Sequence, residues 1–169
     1  MSIPKTRFWC KDIVEFSIAC RPIGCGRKNS NNHSEEQASH MVKDQFINMV
    51  RTYAKMACLE QGFKKKDNGE PIYIIVVVRV GFGALNPRWS KHKEFIGRAK
   101  EGKELPVREP NTQRVMGYIQ KALKGIAYSK DNQIVASCII KRYEQVEGIE
   151  VLVGAPRNLK ELYHDVRNA

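Results

Sequence analysis

The run "IYIIVVVRV", Ile72–Val80, does most to limit what this chain can fold into. Nearly every residue is β-branched, which favours an extended strand. An amphipathic strand alternates apolar and polar residues, and this one does not. It reads as a central strand buried on both faces, so the sheet around it must be covered on both sides.

The flanking segments supply that sheet and its cover. "IVEFSIAC" (Ile13–Cys20) alternates apolar and polar positions and predicts a strand. A basic loop punctuated by Pro and Gly, "RPIGCGRKNSNN", follows it. Ser34 and Gln37 then have the form of a capping box. Met41, Val42, Phe46, Met49, Val50, Tyr53, Met56 and Ala57 recur at helical spacing up to Gly62, which predicts a long helix whose methionines belong to the core. After the charged turn "FKKKDNGEP" and the central strand comes a long basic excursion, Gly81–Pro110, with a short helix from about Ser90. A helix over Thr112–Lys124 stops at Gly125. The strands "NQIVASCIIKRYE" and "IEVLVG" are expected to pair as a hairpin through "QVEG". The tail "APRNLKELYHDVRNA" forms a last helix or frays. Strands and helices around one sheet predict an α+β (mixed α/β) domain over residues 1–169, with its core at about 13–153 and a C-terminal tail at 154–169.

Charge points to the partner. Twenty-nine Lys and Arg against 18 Asp and Glu give a net +11, which favours a polyanion, nucleic acid before membrane. The loop contributes Arg21, Arg27 and Lys28, and the excursion contributes Arg88, Lys91, Lys93, Arg98 and Lys100, as candidate DNA contacts. Trp89 either stacks on an unpaired base or packs as a core or lid tryptophan. No segment has the ~18 apolar residues of a membrane span, and "MSIPKTRFWCKD" lacks the apolar core of a signal peptide. Five scattered cysteines, Cys10, Cys20, Cys25, Cys58 and Cys138, suit reduced thiols. A cytoplasmic, non-secreted protein is expected. Cys20 and Cys25 lack a second ligand pair for zinc, and no cofactor is expected from the residues themselves.

Four blocks carry a resemblance. "FSIACRPIGCGRKN" looks like a first strand followed by a Pro-x-Gly-x-Gly-Arg loop, and "NPRWSKHKEFIGRAKEGKELP" like a variable basic segment. "EPNTQRVMGYIQKALKGIAYSKDNQIV" is similar to a motif in which Pro-Asp-x-Asp-Asn opens a helix ending Ala-Leu-Asn-Gly, followed by Tyr-Lys-Asp-Asp-x-Gln-Ile. "IIKRYEQVEGIEVLV" looks like a closing hairpin. Together they resemble the RusA family of Holliday junction resolvases, small homodimeric endonucleases common in phages and prophages. The resemblance implies a single sheet with flanking helices, a homodimer, DNA as partner, and a bacterial or phage origin. The long helix and the expected hairpin offer apolar surface for a two-fold interface.

In that family, aspartates gather Mg²⁺ at a phosphate, where the metal activates water. Position by position, the first aspartate falls on Asn111 and the second on Gln113, while the motif asparagine falls on Arg114. An assisting lysine falls on Gly117, and the later acid pair falls on Lys130 and Asp131. Only Asp131 keeps its acid, and Lys130 opposes a cation. Arg114, Lys130 and the helix start near Thr112 form a phosphate-friendly surface instead.

The expected function is a RusA-like protein that binds branched or duplex DNA with little or no nuclease activity. One alternative is an active, divergent Mg²⁺-dependent junction endonuclease whose site is rebuilt from Asp131 and Glu109, with Glu94 and Glu104 as further acids. Another is a protein-interaction module that reuses the fold in a phage or a larger assembly.

Overall fold

The structure is a computed structural model that describes residues 10–20, 33–81, 93–106 and 110–167. In chain order the elements are β1 (Ile13–Ile18), α1 (His33–Gln61), β2 (Ile72–Gly81), α2 (Lys93–Lys100), α3 (Thr112–Leu123), a 3₁₀ turn (Asp131–Gln133), β3 (Ile134–Glu144), β4 (Gly148–Gly154) and α4 (Leu159–Arg167). The domain is α+β. Its sheet has the order β1-β4-β2-β3, with β2 parallel to β3 and antiparallel to β4, and β4 antiparallel to β1.

The β-branched run is the interior strand β2, covered on both faces. Ile72, Ile74, Val76, Val78 and Val80 meet Phe46, Val50 and Ala54 of α1 and Val115, Ile119 and Leu123 of α3. On the opposite face, Tyr73 and Ile75 pack with Cys10, Leu152 and Leu162. The tail is therefore a helix, α4, and it closes that second face. Its Asp165 is wholly buried and accepts hydrogen bonds from the Tyr73 hydroxyl (2.8 Å) and the Cys10 amide (3.0 Å). Farther along this face, Arg79 and Arg142 flank the buried Glu150, each 3.6 Å from its Oε1.

The expected hairpin is not formed. β3 and β4 are sequence neighbours, but β2 lies between them and pairs with both. Every residue of β4 is buried, as an interior strand requires, whereas β3 is half-exposed along its length and takes the sheet edge. The short connection between them crosses the end of β2 at Gly81. A Cβ there would lie 2.5 Å from Glu147 Cγ, so a residue without one suits the crossing.

The long helix also differs from expectation in what it buries. Phe46, Ile47, Val50, Ala54 and Ala57 enter the core, but Val42, Tyr53 and Met56 are 46%, 44% and 53% exposed, and Met49 is only partly buried. The apolar face of α1 is wider than the strip of sheet it covers. One flank of that face remains outside the core. The helix begins at His33, so Ser34 lies within it, and the side chains of residues 33–41 lie outside the described residues.

Candidate functional site

Asn111 stands at the N-cap of α3 in an extended conformation, and its Oδ1 accepts the Arg114 amide at 3.1 Å. That is the ordinary capping role of asparagine, which satisfies one of the free N–H groups of the first turn. Gln113, Arg114 and Gly117 all lie on the exposed side of α3, opposite the buried Val115, Met116, Ile119, Ala122 and Leu123.

The other end of the motif lies at the other end of this helix. After Leu123 the chain turns through Gly125, whose φ of 84° favours glycine. The Tyr128 hydroxyl then donates to the Gln120 carbonyl at 2.7 Å. Lys124 Nζ lies 2.7 Å from Asp131 Oδ2 in an exposed ion pair, and Lys130 is exposed immediately before it. A helix of 12 residues is roughly 18 Å long, so Asn111 and the Lys124–Asp131 pair lie toward opposite ends of α3 within one chain.

These positions do not fit Mg²⁺ as a set. Asn111 already uses its side-chain oxygen as a cap, and Gln113 brings no charge. Asp131 is paired with an ammonium and preceded by another. Mg²⁺ requires converging, charged oxygen ligands. Of the further acids considered, Glu104 pairs with Arg98, Glu109 lies outside the described residues, and so does the side chain of Glu94.

Gln133, by contrast, has a clear structural role. Its Oε1 accepts the amides of Lys130 (2.7 Å) and Ser129 (2.9 Å), and its Nε2 donates to the carbonyls of Asp67 (2.7 Å), Glu70 (3.0 Å) and Lys66 (3.4 Å). This one buried amide ties the turn before β3 to the loop before β2. The glutamine is plain in the sequence, but its carbonyl partners are more than 60 residues away in the chain.

Of the candidate DNA contacts, Arg21, Arg27, Lys28, Arg88 and Lys91 lie outside the described residues, as do Trp89 and Cys25. Lys93 opens α2, but its side chain is likewise outside them. Arg98 and Lys100 are exposed on the last turn of α2, with Arg98 paired to Glu104. Helix α2 is held to the edge strand by an edge-on contact of Phe95 with Tyr143 and by the buried Ala99.

Sequence reading missed several cations on the helical layer. Arg51 of α1 donates to the Lys121 carbonyl at 3.5 Å, and Lys43 Nζ sits 5.6 Å from the centre of the Tyr118 ring. Helical spacing within α1 cannot show that these residues reach α3. A cleft of about 400 Å³ between Lys11, Asp12, Lys66, Glu70, Pro71 and Arg157 is also lined by charge. Its Lys66 pairs with Asp12 and its Arg157 with Glu161.

Burial favours the protonated thiol at three cysteines, Cys10, Cys20 and Cys58. Burial pushes Cys20 up to about 11, Glu147 adds to the shift, and Arg79 opposes it. Burial also raises Cys10 and Cys58. No family model matches the chain, and no curated protein matches it in sequence.

Proposed function

We propose that this chain is a RusA-like DNA-binding protein, acting as a homodimer on branched or duplex DNA, in which metal-dependent cleavage has been lost. One observation carries the reading. The motif positions that should hold acids hold a capping asparagine, a neutral glutamine and a lysine, and the one retained acid is paired with Lys124 at the far end of α3. Basic side chains now occupy the same surface, and the chain as a whole carries +11. Fixed protein charge can hold a phosphate backbone by counterion release without turnover.

A mobility-shift titration of a four-way junction and a matched duplex, with and without Mg²⁺, tests this. Binding that needs no metal and produces no nicked product supports the reading. Mg²⁺-dependent nicking would favour the divergent nuclease, and no binding at low salt would favour a protein-interaction module.

A further inference from the structure

We propose that the outer surface shared by α1 and α3 is a seat for the phosphate backbone of duplex DNA, with Gly117 at its closest point of approach. The inference rests on the DNA-binding reading above and adds a contact surface distinct from the basic loop and excursion.

Charge is the first argument. Helix α3, "TQRVMGYIQKAL", contains no acidic residue. Arg114 and Lys121 lie on its exposed face, seven residues and therefore about 10 Å apart along the axis. From α1, Arg51 reaches the carbonyl of Lys121 and Lys43 reaches the ring of Tyr118, so cations of both helices border one surface. Lys124, at the end of the row, is already paired with Asp131 and adds little. A solvated helix face usually mixes charges of both signs. The exposed face of α3 carries cations, amides and hydroxyls and no acid, and on the α1 side Asp44 is exposed seven residues before Arg51, so cations outnumber acids on the shared surface.

Gly117 is the second, independent argument. It lies in mid-helix, where glycine is unfavourable relative to alanine. The fold does not demand it. Its φ is not positive, and a Cβ built there would meet nothing within 4 Å. Gly117 sits three residues after Arg114 and four before Lys121, on the same exposed face. Any side chain at this position would stand between the two cations. Its absence leaves a saddle in which a sugar–phosphate strand can lie directly against the helix.

Salt-dependent binding to a fluorescent duplex tests both arguments. The triple variant Arg51→Gln, Arg114→Gln, Lys121→Gln should lower the log–log salt slope by about three units, one for each phosphate that is no longer neutralised. Gly117→Gln should raise the thermal midpoint and yet weaken duplex binding by about tenfold, a combination that a structural role alone does not produce. If the native chain binds duplex and the triple variant keeps its slope, the seat is wrong and the DNA-binding reading stands. A Gly117→Gln protein that binds like the native chain overturns the close approach. Native protein that binds poly-glutamate as tightly as duplex overturns the assignment in favour of an acidic protein partner. A native chain that binds no DNA overturns both readings.

Discussion

Asp131 Oδ2 lies 2.7 Å from Lys124 Nζ, at the opposite end of α3 from Asn111. Asp131, where the resembled motif also has an acid, is thus answered by a lysine close to it in the chain and lies toward the other end of α3 from Asn111. Exposed pairs of this kind contribute little to stability, about 0–1 kcal/mol. The pair matters here for where it holds the carboxylate.

The first prediction follows from that separation. The unmodified protein should show no Mg²⁺-dependent nicking of a four-way junction, and Asp131→Asn should leave DNA binding within about twofold. Product analysis on denaturing gels, together with a binding isotherm for each protein, checks it. Robust nicking that disappears with Asp131→Asn would instead identify a working site built around this acid.

The second prediction concerns Gln133. Its buried amide accepts two backbone N–H groups, and its two N–H groups face three carbonyls, with those of Asp67 and Glu70 the closest. Gln133→Ala leaves those backbone groups short of partners and should destabilise the fold by about 2–4 kcal/mol. Gln133→Glu keeps the shape but turns an acceptor toward three carbonyls, so it should be at least as damaging. Urea denaturation measures both. A loss under about 0.5 kcal/mol, the size of an ordinary surface substitution, would show that the turn has other supports.

Two glycines give a contrasting pair. At Gly154, where β4 passes the Tyr73 ring, a Cβ would lie 2.2 Å from a ring carbon, and the Tyr73 hydroxyl is anchored to Asp165. Gly154→Ala should cost about 1–3 kcal/mol or prevent folding, because overpacking has no outlet there. Gly117→Ala meets open space and should instead stabilise by up to ~1 kcal/mol. Thermal melts of the two proteins should move in opposite directions.

The parts of this fold legible in the sequence are those set by local pattern. The β-branched Ile72–Val80 could only be an interior strand, and the apolar period of α3 gave both its limits and its buried face. The order of the strands was not legible. Adjacent strands with a short connection look like a hairpin, and nothing local shows that β2, more than 50 residues earlier, separates β3 from β4. Nor does the sequence show that β4 is buried throughout, because Glu150 stands in the middle of that strand and its counter-ions Arg79 and Arg142 come from other strands. The same limit applies to the site. Asn111 and Asp131 are close in sequence, and only the straight run of α3 between them shows that they lie toward its opposite ends. The helical period likewise identified the apolar residues of α1 but could not show that Met56 and Tyr53 fall outside the width of the sheet.

The last prediction concerns high pH. Cys20 has its thiol pushed up by burial from 9.0 to about 11, and burial also raises Cys10, Cys58, Tyr73 and Tyr128. Each is a neutral acid whose ionised form is penalised in the folded state. The unfolded chain therefore loses these protons first as pH rises. Stability from these groups is fully present below about pH 9, and for Cys20 it is lost progressively from there through about 11. Denaturation midpoints measured between pH 7 and 11 should be level up to about 9 and fall beyond it. Alkylation gives an independent reading, because the thiolate is the reactive form. At pH 8 the folded Cys20 should react roughly a hundredfold more slowly than the same thiol in urea, a ratio that mass spectrometry of the Cys20 peptide can follow. Equal rates in the two states would show that the thiol is not held in the buried environment beside Arg79 and Glu147.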